Sequence, residues 1–245
     1  GNQSGFGNNI GNSNIFIGNS SGYQNYSGEM NIFMGYNSGY SNDQGSYNVF
    51  MGYKAGFENY SGNSNLFQGY NAGYSNYNGA FNVYQGFQSG YSNIGGGKNV
   101  FIGYRAGYST KGSENVFIGN QSGELATGGN SNTFIGFQSG MKNTIGEQNT
   151  FIGYLAGNLN SIGQANIFLG IYAGANATKG SHNIFMGNQA GYVNNGNSNI
   201  YMGSYSGMAD TSGTWNVFIG HFTGSNHTSG DKNVFIGLES GRHNK

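Results

Sequence analysis

Asn99-Val100-Phe101-Ile102-Gly103-Tyr104-Arg105-Ala106-Gly107 decides how this chain folds, because its opening returns at Asn115-Val116-Phe117-Ile118-Gly119 and at Asn132-Thr133-Phe134-Ile135-Gly136. Working outward in both directions, Asn-x-[Phe/Tyr]-x-Gly occurs 14 times. The starts lie 17 residues apart, except for two steps of 16, from Asn99 to Asn115 and from Asn183 to Asn199. Residues 1–13 read as the tail of one further copy. A fixed period of this kind is the signature of a repeat architecture. Nothing interrupts it over residues 1–245: no linker, no shift of composition, so a single repeat array with no second domain is expected. The chain opens and closes inside a copy, which reads as part of a longer protein.

Numbered from its Asn, each copy has Asn at position 1, an aromatic at 3, Gly at 5, a small residue at 8 and Gly at 9. Positions 2 and 4 are mostly aliphatic, and another Gly falls near position 15, as at Gly28, Gly45 and Gly62. Two or three Gly per copy would cost about 1 kcal/mol each inside a helix, and no 3.6-residue apolar period is present. The segment from position 1 to position 5 instead has the β-branched and aromatic content of a short strand. The Asn, Ser, Thr and Gly between such segments are turn residues. One copy is too small to bury a core, so the copies must stack, each coil pairing with the next at about 4.8 Å. The expectation is an all-β parallel solenoid, a β-roll with one coil of roughly 17 residues per repeat. The two short copies are expected to lose their residue in the turns before Asn115 and Asn199, where the ladder is not broken.

Composition supports order. The chain has 245 residues, 48 of them Gly, with neither Pro nor Cys. Collagen is excluded because Gly does not recur every third residue and Pro is absent. Disordered chains lack aromatics and carry net charge, whereas this chain is 16% aromatic with a formal net charge of zero. Its nine basic residues are scattered, so nucleic acid is not expected as a partner. No apolar run approaches the roughly 20 residues of a membrane-spanning helix.

Stacking puts like over like. Position 1 predicts an amide ladder of Asn14, Asn31, Asn48, Asn65, Asn82, Asn99, Asn115, Asn132, Asn149, Asn166, Asn183, Asn199, Asn216 and Asn233. Position 3 predicts an aromatic stack of Phe16, Phe33, Phe50, Phe67, Tyr84, Phe101, Phe117, Phe134, Phe151, Phe168, Phe185, Tyr201, Phe218 and Phe235. Side chains alternate along a strand, so positions 2 and 4 share the face opposite to position 3. A narrow coil hides only one of these faces. The other would form an apolar stripe that a monomer does not ordinarily expose. Burial against copies of the same chain follows, as a homotrimer or a filament. The alternative is a wider coil that folds both faces inward and stays monomeric. The last copy keeps the full strand pattern, with only Arg242, His243 and Lys245 looking like an end. Further domains or end-to-end stacking are therefore expected.

Little in the sequence points to chemistry. His182, His221, His227 and His243 have no zinc-type spacing, and His221 and His227 read as turn surface. No calcium loop, phosphate loop or Ser-His-acid set appears, so no enzyme activity, metal or cofactor is expected. Sequons at Asn25, Asn59, Asn120, Asn176 and Asn226 are common accidents in an Asn- and Ser-rich repeat. The more informative feature is aromatic. Position 6 reads Tyr36, Tyr53, Tyr70, Phe87 and Tyr104, and position 10 reads Tyr23, Tyr40, Phe57, Tyr74, Tyr91 and Tyr108. Such columns either close the corners structurally or form a contact surface for a glycan or a host surface. Both fade after residue 115.

Asn99-Val100-Phe101-Ile102-Gly103-Tyr104-Arg105-Ala106 and Asn48-Val49-Phe50-Met51-Gly52-Tyr53-Lys54-Ala55 resemble the head repeats of trimeric autotransporter adhesins, and related repeats of bacterial and phage tail-fibre proteins. Phe stands here where the head repeat has a small residue, and the period is longer. The resemblance implies a left-handed parallel β-roll, a trimer, a cell-surface location and adhesion. Three functions are weighed on this footing: a fibrous adhesive or scaffolding surface protein, a phage tail-fibre rod for host recognition, and an ice-binding solenoid. The last predicts a regular row of Thr, whereas Thr is sparse here.

Overall fold

The computed structural model of the chain describes residues 1–244; Lys245 lies outside the described residues. Two compact units, Gly1–Thr127 and Gly128–Lys245, are built from the same coils. The first carries β1 (Ile15–Ile17), β2 (Ile32–Met34), β3 (Val49–Met51), β4 (Leu66–Gln68), β5 (Val83–Gln85), β6 (Val100–Ile102) and β7 (Val116–Ile118). The second carries β8 (Thr133–Ile135), β9 (Thr150–Ile152), β10 (Ile167–Leu169), β11 (Ile184–Met186), β12 (Ile200–Met202), β13 (Val217–Ile219) and β14 (Val234–Ile236). Within each unit every strand pairs in parallel with the next. The register is position for position: Phe50 lies opposite Phe67, and Phe67 opposite Tyr84. This is the expected parallel β-solenoid, and among the described residues no helix forms.

Alternation along a three-residue strand sets the core. In β3 to β7 the central aromatic is fully buried while its two neighbours face outward. The rings of Phe33, Phe50, Phe67, Tyr84, Phe101 and Phe117 stack with centroids 4.7–4.9 Å apart. The second unit repeats this from Phe134 to Phe235, at 4.7–5.1 Å. A coil therefore hides the aromatic column and leaves positions 2 and 4 outside.

The Asn of position 1 forms the expected ladder, and the structure shows what it does. Asn65 Oδ1 accepts the backbone N–H of Asn82 at 2.9 Å, and Asn65 Nδ2 donates to the Gly79 carbonyl at 2.8 Å. The backbone N–H at position 1 has no backbone partner, so the amide of the preceding coil satisfies it. The same bond joins Asn48 to Asn31, Asn166 to Asn149 and Asn216 to Asn199, each at 2.9–3.0 Å.

Glycine is needed at position 9 for two reasons. Gly56 has φ +60, and a Cβ there would come within 2.5 Å of the Phe50 ring. The corner can then turn tightly over the aromatic stack. Position 7 and the residue just before the next Asn are also left-handed but are not Gly. They account for the 29 described non-Gly residues with positive φ, and none of these is Val, Ile or Thr. Branching at Cβ is what the left-handed region tolerates least.

Both short copies lose a residue between positions 12 and 15, as expected. Elsewhere the position 1 amide reaches the Gly carbonyl 14 residues on, but Asn99 reaches Gly112 and Asn183 reaches Gly196, 13 residues on. Strand register is untouched: Val100 lies opposite Val116 and Ile184 opposite Ile200.

Candidate functional site: the outer strand face and its aromatic border

The outward face of the sheet is the strongest candidate for function, because its side chains have no partner inside the coil. In the first unit it presents Ile15, Ile32, Val49, Leu66, Val83, Val100 and Val116 in one column. A second column holds Ile17, Met34, Met51, Gln68, Gln85, Ile102 and Ile118. Ile15 and Ile17 are just over half exposed and Met34 is 40% exposed. Three residues by seven strands cover roughly 10 by 30 Å. The second unit repeats the face, with Thr at Thr133 and Thr150 and aliphatic residues at position 2 thereafter.

Beyond the Gly of position 5 the face is bordered by the position 6 aromatics. Tyr36, Tyr53, Tyr70, Phe87 and Tyr104 are exposed and stack at 4.9–5.4 Å with interplanar angles of 6–9°. Each ring covers the face of the next, so solvent meets edges and hydroxyls. Sugar rings stack on aromatic faces, and here the faces are already occupied by one another. The position 10 column, from Tyr23 to Tyr108, is half-buried and stacks in the same way at 4.9–5.1 Å. Partial burial raises the hydroxyls of Tyr74 and Tyr91 above the usual phenol value, with the Glu58 charge adding to it at Tyr74. Lys54 lies over Phe57 and Tyr74 at 5.2 and 5.9 Å. Arg105 lies 4.3 Å from the Tyr108 ring centre and pairs with Glu124 at 2.7 Å. The two aromatic columns thus hold the corner together. After residue 115 the position 6 column returns for one pair, with Phe137 and Tyr154 stacked at 5.2 Å in the second unit.

Sequence reasoning missed a second buried column. Position 12 carries Asn25, Asn42, Asn59, Asn76, Asn93, Asn143, Asn160 and Asn194, all fully buried. Asn76 Nδ2 donates to Asn59 Oδ1 and to the Gly79 carbonyl, both at 2.8 Å. The signal was present, since Asn recurs there, but this column also admits Thr110, Ala126, Ala177, Asp210 and His227. The structure explains the tolerance. The backbone N–H at position 12 already donates to the carbonyl of the Gly at position 9, as in Asn76 to Gly73 at 3.2 Å and Ala177 to Gly174 at 3.0 Å. Two sequons fall in this column, and Asn25 and Asn59 are sealed from solvent.

His227 is a correction: it is not turn surface but 1% exposed, beside Phe218 and Phe235. Its Nδ1 lies 3.5 Å from Asp210 Oδ2, which also accepts the Tyr201 hydroxyl, while Asp210 Oδ1 accepts the Gly213 N–H at 2.7 Å. Burial, followed by the Asp210 charge, raises the Tyr201 hydroxyl far above its usual value. Tyr201 supplies position 3, and Asp210 and His227 supply position 12 of successive coils. With its side chains closed to solvent, the group takes the place of the position 12 amides as core packing, while the position 1 ladder runs on beside it. His221, in the same copy, is exposed. Among the described residues no cluster of three His, Cys, Asp or Glu could hold a metal, and no helix is long and apolar enough to cross a membrane.

Comparison with protein-family models, with curated proteins and with solved structures finds no match.

Proposed function

We propose that the chain is a fibrous, self-associating structural module of an extracellular or cell-surface assembly, joined to its own copies through the outer strand face. The observation that carries this reading is the pair of mostly apolar columns at positions 2 and 4, interrupted by Gln68 and Gln85, repeated on consecutive strands and left without a partner by the coil. Hydrophobic side chains held in a stiff, repeated array bury well against an identical array, because like spacing meets like spacing. Alternation also gives the face a narrow, continuous form that a second β-roll could cover. The repeats resembled by Asn99–Ala106 imply three copies and adhesion to a host surface, and the phage tail-fibre role remains the parallel reading of the same resemblance. An ice-ordering face has less support, since position 2 carries Thr only at Thr133 and Thr150.

Sedimentation velocity and light scattering test the reading. The chain is expected to run as a discrete oligomer, and Met34→Glu with Ile102→Glu is expected to convert it to monomer with its β-rich circular dichroism spectrum intact. A monomeric parent chain at tens of micromolar would refute self-association.

A further inference from the structure

Position 13 forms a third aromatic column on the outside of the first unit, and it has one rung missing. It reads Tyr26, Asp43, Tyr60 and Tyr77 before giving way to Ile94 and Lys111. Tyr60 and Tyr77 stack at 5.1 Å with an interplanar angle of 5°, so one face of Tyr60 is covered. Its other face looks back toward the coil of Asp43, where a short side chain takes the place of a ring. A groove of about 440 Å³ opens there, lined by Tyr26, Asp43 and Tyr60 and by Gly7, Gln24 and Ser41 of position 11.

The groups in this notch are complementary to one kind of ligand. Tyr26 and Tyr60 are two coils apart, roughly 10 Å, so rings set parallel as those of Tyr60 and Tyr77 are would leave about 6–7 Å between their surfaces. Asp43 sits between them. Its carboxylate accepts from Gln44 Nε2 at 3.3 Å, and no basic side chain among the described residues pairs with it. Hydrogen bonding to Asp43, and then its charge, raises the Tyr60 hydroxyl above its usual value, which places that carboxylate beside the Tyr60 wall. A negative charge between two aromatic faces attracts a cation with an apolar skin, which gains from both rings and from the carboxylate. A planar guanidinium, about 3.4 Å thick, would touch only one wall. A trimethylammonium group is nearly spherical and fills the gap.

We propose that the notch between Tyr26 and Tyr60, closed by Asp43, is a binding site for a compact quaternary ammonium ion. It is independent of the outer strand face, which lies on other positions of the coil.

Choline chloride and its neutral isostere 3,3-dimethylbutan-1-ol, added to the full chain, test this by saturation-transfer NMR. Choline is expected to bind with a Kd on the order of 1 mM, and the isostere at least about tenfold more weakly. Asp43→Asn is expected to weaken choline binding by about tenfold or more. Asp43→Tyr completes the Tyr column found in the neighbouring coils, so it should keep the fold while abolishing binding. Equal binding of choline and the isostere would overturn the proposal. So would undiminished binding to a folded Asp43→Tyr chain, or absence of saturable choline binding to the parent.

Discussion

Replacing Asn65 by Ala should free a backbone N–H of the next coil where replacing Asn76 by Ala should not, although both amides are buried and both donate to the same Gly79 carbonyl at 2.8 Å. Losing Asn65 leaves the buried N–H of Asn82 without its only acceptor, at about 1–3 kcal/mol, and removes one of two bonds to Gly79, at about 1 kcal/mol. The sum is roughly 2–4 kcal/mol. Losing Asn76 removes one bond to Gly79, at about 1 kcal/mol, and leaves the buried Asn59 Oδ1 without its donor, at about 1–3 kcal/mol, a similar total, but every backbone group keeps a partner. Stacked repeats need not unfold in one step. The assay is therefore hydrogen exchange at the Asn82 amide, read beside urea unfolding. Asn65→Ala should collapse protection at Asn82, whereas Asn76→Ala should leave most of it. Asn65→Asp adds a pH signature. Its carboxyl, buried against the Gly79 carbonyl, can donate only when protonated, so its folded pKa lies above the unfolded value of about 3.9. The folded variant then holds a proton that the unfolded chain releases, and stability falls as pH rises above about 4. Unchanged protection at Asn82 in Asn65→Ala, or an equal loss of it in Asn76→Ala, would refute the backbone-satisfaction argument.

Two further outcomes follow from the core and the turns. Ser64 is exposed with φ +56, so backbone strain dominates its substitutions; stability should fall in the order Ser64→Gly, parent, Ser64→Val, over a span of about 2 kcal/mol by denaturant unfolding, and a Val variant as stable as the parent would contradict this. Tyr84 places a hydroxyl in the fully buried aromatic column near the Asn93 and Asn99 amides but without a hydrogen bond of good geometry, so Tyr84→Phe should gain about 1 kcal/mol at neutral pH. Burial raises that hydroxyl well above the phenol value, so the folded chain keeps a proton that the unfolded chain loses above about pH 10. Stability of the parent should drop there with rising pH, and the Phe variant should lose less in thermal melts; a less stable Phe variant would show that Tyr84 is satisfied after all.

The residue pattern alone sets the period, the strand and the direction of each side chain within it. A 17-residue repeat with an aromatic between two aliphatic positions admits few arrangements, because like residues in parallel register must lie one above another. Asn at position 1 was legible for the same reason: it occurs in all 14 copies. Tertiary structure decided what each column is for. Position 12 varies from Asn to Ala, Asp and His, and only its depth in the coil shows it to be core. At Asn76 the position 12 amide shares a carbonyl that Asn65 also serves, whereas position 1 accepts a backbone N–H in coil after coil, which is why position 12 could drift while position 1 could not. His227 looked like surface for want of any local sign of burial; the neighbours that bury it, Asp210, Phe218 and Phe235, include one 17 residues away. The Tyr26–Asp43–Tyr60 notch likewise exists only because coils stack, bringing residues 17 apart in sequence to a separation of about 5 Å.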